Sequence, residues 1–105
     1  MRIAILWFDG CPNHERAMAA VQGVLDARGL RVLIESVHIK DEAAARTVKF
    51  PGSPTIRIGG IDVEPGFIDS GEYSLRCRLY RTAEGLSGLP EPAWNERALA
   101  SAVGW

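Results

Sequence analysis

The chain has 105 residues, of which 47% are hydrophobic and 24% charged, with a formal net charge of −1. That is the size and composition of one ordinary globular domain, so residues 1–105 are read as a single unit. The charge balance supplies no basic surface for nucleic acid or an anionic membrane, and no apolar run nears the ~20 residues that span a bilayer. The apolar stretch 3–8 is too short for a signal-peptide core, and Asp9-Gly10 follow where a cleavage site would need small residues. The expected compartment is the cytoplasm. Two cysteines without an export signal predict free thiols rather than a disulfide scaffold.

Residues 2–8 (RIAILWF) are too few for a core helix and predict a strand buried on both faces. Asp9-Gly10-Cys11-Pro12 is a turn opening into a helix, along which Ala17, Met18, Val21, Val24 and Leu25 recur at helical spacing. Gly29 stands where a C-cap is wanted. A second strand over 31–39 completes a β-α-β unit, and such crossovers give parallel strands. Asp41 caps a shorter helix to about Lys49, and Phe50-Pro51-Gly52-Ser53-Pro54 breaks it. Residues 55–58 and 61–63 are short strands joined by Gly59-Gly60, where both turn positions take positive φ without penalty. From 64 to 91 the chain is rich in loop residues, with a strand or short helix over 73–81. Pro92 opens a terminal helix to about Val103, with Trp94, Ala98, Leu99 and Ala102 on one face. The predicted order is β-α-β-α-β-β-α.

The candidate chemistry centres on Cys11. With Pro12 as first helical residue, Cys11 is the N-cap, and the amides of Asn13 and His14 point at its sulfur. Those donors and the helix-end partial charge favour the nucleophilic thiolate. The alternative is a partly buried cap of no chemical consequence. His14 either steadies the thiolate as an imidazolium or is an exposed first-turn residue. Cys77 lies between Arg76 and Arg78, whose charge also favours a thiolate. If its segment folds back over the helix start, Cys77 resolves a mixed disulfide or shares a soft metal ion with Cys11. The alternative packs Cys77 inward beside Leu75 and Leu79, which share its parity. Cys11, His14, His38 and Cys77 together make a conceivable zinc set, but without paired Cys-x-x-Cys spacing no resident metal or cofactor is expected. Trp94 and Trp105 are core residues or the contacts of a homodimer.

The apolar-aromatic strand end, Gly10-Cys11-Pro12 opening a long helix, and Gly52-Ser53-Pro54-Thr55-Ile56 before a hairpin resemble the thioredoxin superfamily. The resemblance implies a thioredoxin-like α/β fold, a mixed sheet with flanking helices and a loop-rich insertion before the last helix. It implies a cis-proline at Pro54 facing the thiol, and substrate binding by Ser53, Pro54 and Thr55. The implied chemistry is redox exchange with a protein or low-molecular-weight thiol or disulfide, carried by Cys11, His14 and Cys77. His14 stands where dithiol members have a second cysteine, so a local Cys-x-x-Cys disulfide is excluded. The chain also resembles short bacterial thioredoxin-like proteins labelled alkylmercury lyase, through Phe8-Asp9-Gly10-Cys11-Pro12, the 52–56 motif and Cys77-Arg78-Leu79-Tyr80. That likeness implies two thiols that cleave an organomercurial or bind a soft metal ion. It departs in the acid: His14 occupies the position after the first cysteine, and Asp9 precedes it. The third expectation is a binding module that keeps the fold without turnover.

Overall fold

The computed structural model describes residues 1–104. Strands and helices follow in the order β1 (Ile3–Trp7), α1 (His14–Ala27), β2 (Ile34–His38), α2 (Glu42–Val48), β3 (Thr55–Ile58), β4 (Ile61–Asp62), β5 (Tyr80–Thr82), β6 (Gly85–Ser87) and α3 (Pro92–Val103). Four strands form one sheet in the order β2-β1-β3-β4, and β5 pairs with β6 in a separate hairpin. β1 runs parallel to β2 and antiparallel to β3, and β4 folds back antiparallel on β3. The described residues are therefore α/β, with a mixed four-stranded sheet and three helices. No helix among the described residues is long and apolar enough to cross a membrane.

The unbroken apolar run of β1 follows from its central place, since both faces of that strand are covered. Ile3 and Ile5 point into a core with Ala17, Val21 and Leu25 of α1, Ile56 and Ile58 of β3, and Leu99 of α3. Leu6 points the other way, into a smaller core with Ile39, Ala45 and Phe50. On α1 the buried positions Ala17, Val21 and Leu25 are four residues apart, so one stripe meets the sheet and the rest faces water. Gly29, at φ 66°, ends that helix in the left-handed region as predicted. β2 is an edge strand, which explains why Glu35 and Ser36 are exposed within a run that otherwise looks apolar.

The local rules hold well from residue 41 to 62. The Asp41 carboxylate accepts the Ala44 N–H at 2.8 Å and caps α2. Arg57 of β3 donates to the Val48 and Lys49 carbonyls at 2.8 Å each, satisfying the open end of α2 from the sheet. Gly59 and Gly60, at φ 64° and 81°, make the tight turn between β3 and β4. α3 begins at Pro92 as predicted, but its inward line is rotated. Asn95 and Leu99 are the buried positions, Trp94 and Ala98 are half-buried, and Ala102 is exposed. Trp105, the other predicted packing tryptophan, lies outside the described residues.

The two kinds of contact separate in a denaturant titration. Leu99→Ala is expected to cost about 2–5 kcal/mol as a large-to-small change in a full core. Asp41→Ala, which removes one cap, is expected to cost about 1 kcal/mol. Equal midpoints for the two variants would contradict this placement of the core.

Candidate functional site

Residues 52–55 feed the chain into β3, and the segment 76–80 holds each of them. The Ser53 N–H donates to the Arg76 carbonyl at 2.8 Å and the Arg78 N–H donates to the Ser53 carbonyl at 2.9 Å. These two bonds form an isolated parallel bridge between Ser53 and Cys77. The Tyr80 hydroxyl donates to the Pro54 carbonyl. The Thr55 hydroxyl donates to the Gly52 carbonyl at 2.6 Å and accepts from Arg78 Nη1 at 3.1 Å. At Gly52, φ is 138° and a Cβ would lie 2.9 Å from the Arg78 Cβ, so only glycine lets the two segments approach this closely. The Ser53–Pro54 peptide bond is cis. Ser53, Pro54 and Thr55 are all buried, and the Ser53 hydroxyl has no hydrogen-bond partner among the described residues.

The clamp is anchored by a charge. Arg78 is buried, and its guanidinium meets Asp62 at 2.6 and 3.0 Å and Glu64 at 3.0 Å. It also lies 4.3 Å from the centroid of the Tyr80 ring and 4.8 Å from that of Phe67. Burial opposes the charge, but the carboxylates of Asp62 and Glu64 outweigh it and hold the guanidinium above its ordinary value. Burial also raises the Tyr80 phenol. Arg78 works against that rise, whereas negative charge on Asp62, Glu64 and Cys11 adds to it.

The surroundings of Cys11 differ from the sequence expectation. The N-cap of α1 is Asn13, so the helix opens two residues later than predicted and Cys11 stands outside its mouth. In the turn before it the Cys11 N–H donates to the Phe8 carbonyl at 3.0 Å. The first helical bond runs from the Ala17 N–H to the Asn13 carbonyl. Asn13 in turn packs so closely on Gly88 that a Cβ there would lie 2.3 Å from its amide nitrogen. Cys11 is 6% exposed, and no donor among the described residues is bonded to its sulfur. The amides of Asn13 and His14 do not form the predicted cradle.

His14 is engaged elsewhere. Its ring stacks on the Trp7 indole, with centroids 4.0 Å apart and planes at 7°. Its Nδ1 lies 3.4 Å from the Cys11 carbonyl oxygen, beyond the usual hydrogen-bond range. His38 approaches Trp7 at 4.7 Å between ring centroids and pairs with Asp9 at 3.0 Å. Among the described residues no three of His, Cys, Asp and Glu converge to hold a metal, so Cys11, His14, His38 and Cys77 do not assemble as a zinc set.

Cys77 is exposed. The inward parity on its segment belongs to Arg78 and Tyr80, which are buried, whereas Leu79 is 64% exposed. The alternative that packed Cys77 and Leu79 into the core is therefore overturned. Arg78, Tyr80 and Asp62 are the site residues that the sequence reading missed. One signal was available: Asp62 and Glu64 are two residues apart, which puts both carboxylates on one strand face and asks for a cation opposite.

The raised Tyr80 phenol makes a pH prediction. A group whose folded value exceeds its unfolded value, about 10 for tyrosine, contributes fully below that pH and loses its contribution as pH rises above it. Tyr73, also raised by its hydrogen bond to Asp69, is removed as Tyr73→Phe to isolate the signal. Phenolate absorbance is then expected to appear only together with loss of native circular dichroism. A phenolate signal rising near pH 10 in a still-folded protein would contradict the burial of Tyr80.

In comparisons with known proteins, the chain matches no family model, and no significant match appears among curated proteins or solved structures.

Proposed function

We propose that this chain is a thioredoxin-like thiol protein that exchanges disulfides with a protein or low-molecular-weight partner. Cys77 is the thiol a partner reaches, and Cys11 is the inner thiol. The observation that carries the reading is the Ser53–Cys77 bridge, which ties the exposed cysteine to the loop before β3. The same loop is anchored by Tyr80, whose hydroxyl donates to the Pro54 carbonyl. The mixed sheet and the position of Cys11 between β1 and α1 agree with the resemblance in the 8–12 and 52–56 motifs.

The exchange balances in two steps. The Cys77 thiolate attacks one sulfur of a partner disulfide, forming a mixed disulfide and releasing the other partner sulfur as a thiolate. Cys11, after giving its proton to solvent, attacks the Cys77 sulfur, closes a Cys11–Cys77 disulfide and releases the second partner thiolate. The partner gains two electrons and the protein loses two, which an external thiol such as glutathione restores. His14 contributes by fixing the Trp7 end of the loop that holds Cys11. Mercury–carbon cleavage is the weaker reading, because Asp9, the acid beside Cys11 in sequence, is paired with His38.

Two serine variants test this. Cys77→Ser is expected to lose the fast-reacting thiol and to slow reduction of a glutathione mixed disulfide by about tenfold or more. Cys11→Ser is expected to accumulate the mixed disulfide without resolving it. Mild oxidation of the parent should give an intramolecular disulfide that raises stability by about 4 kcal/mol through loop closure. Wild-type turnover in either serine variant would overturn the reading.

A further inference from the structure

Beside β4, the edge strand of the sheet, lies a cleft that the thiol reading does not use. The chain after β4 and one side of α3 bound a cleft of about 500 Å³. That falls within the roughly 300–1,000 Å³ typical of small-molecule sites. Its walls are mainly apolar, with Ile61, Val63, Trp94 and Ala98 among them. Ile61 is 72% exposed, so apolar surface here faces water unless a ligand covers it. The Trp94 ring is held 6.3 Å from Tyr80 at 58°, which presets the aromatic wall.

Charge decides what fits. Three charged side chains line the cleft: Asp62, Glu64 and Arg97. Both oxygens of Asp62 and one of Glu64 are already bonded to Arg78. Arg97 has no hydrogen bond or ion pair among the described residues. Arg78 thus offsets one of the two negative charges and occupies three of the four carboxylate oxygens, and the Arg97 guanidinium is left uncommitted beside an apolar wall. A guanidinium fork matches a carboxylate in bidentate geometry.

We propose that this cleft binds a small monocarboxylate with a flat apolar body, its ring against Trp94 and its carboxylate on Arg97. The binding uses neither cysteine, although the cleft shares Asp62 and Glu64 with the cluster around Arg78.

The test is calorimetric titration of the intact protein with 2-naphthoate, and with 2-naphthalenemethanol as the uncharged counterpart. Naphthoate is expected to bind with a Kd on the order of 0.1 mM, given its number of heavy atoms. Arg97→Gln should weaken naphthoate about tenfold and leave the alcohol unchanged, because only the acid uses the charge. Ser101→Trp, on the exposed side of α3, fills the cleft without entering the core and should abolish both. Cys77→Ser should bind naphthoate as the parent does, which separates this site from the thiol site. No binding at millimolar naphthoate, binding that survives Ser101→Trp, or equal losses of acid and alcohol in Arg97→Gln would overturn the proposal.

Discussion

One buried cation governs how the last third of the chain meets the sheet. Arg78 is out of water, and the cost of desolvating a guanidinium is several kcal/mol unless partners replace the lost hydration. Asp62 and Glu64 supply that replacement, and both come from β4 and the residue pair after it. The short hairpin β3–β4 is thereby bound to a segment that follows it by some fifteen residues. Removing one partner of such a pair costs about 3–5 kcal/mol, because the other charge is left buried and unpaired. Arg78 is also tied through its backbone, by the bond to Ser53, and through its Nη1, by the bond to Thr55. Side chain and main chain therefore enforce the same docking.

The exposure of Cys77 is a consequence of that ion pair. In an extended segment neighbouring side chains point to opposite faces, so turning Arg78 and Tyr80 inward turns Cys77 and Leu79 outward. A one-residue slip would bury the thiol and expel the guanidinium, breaking its contacts with Asp62 and Glu64. The Ser53 bridge and the close approach at Gly52 oppose that slip from the loop side. Cys11 is set by a different constraint. The turn from Phe8 to Cys11 uses the cysteine amide before α1 begins, and that leaves the sulfur buried against the body of the protein.

Much of the fold was legible because local chemistry and tertiary context agree there. The apolar run of β1, the Asp41 cap, the Gly59-Gly60 turn and the Pro92 start of α3 each follow from a rule acting over a few residues. Three features were not legible, each for a nonlocal reason. The start of α1 lies at Asn13, whose carbonyl takes the first helical bond and whose side chain is received by Gly88, far along the chain. The inward line of α3 runs through Asn95 because the sheet meets that side of the helix, and an asparagine does not announce itself as core. The hairpin β5–β6 was lost in a loop-rich stretch whose short strands pair only with each other. At the site, the reading singled out both cysteines and Ser53, Pro54 and Thr55, and of its two alternatives for Cys77 the one that turned Cys77 and Leu79 inward has the wrong parity.

That last error bears on how charge near a cysteine is to be read. Arg76 and Arg78 flank Cys77 in sequence, which suggests a thiol between two cations. Residues one position apart on an extended segment never share a face, so neither arginine is placed beside the sulfur by adjacency alone. Arg78 spends its charge inward on two carboxylates. Arg76 donates to the Pro51 carbonyl at 3.2 Å and sits 3.7 Å from Glu72, so its charge is partly committed at the surface. What sequence proximity presents as a doubly basic thiol is, in three dimensions, an exposed thiol next to an arginine whose charge is turned inward on two carboxylates. The reactivity of Cys77 therefore rests on its accessibility and on its tie to Ser53, more than on the arginines that border it.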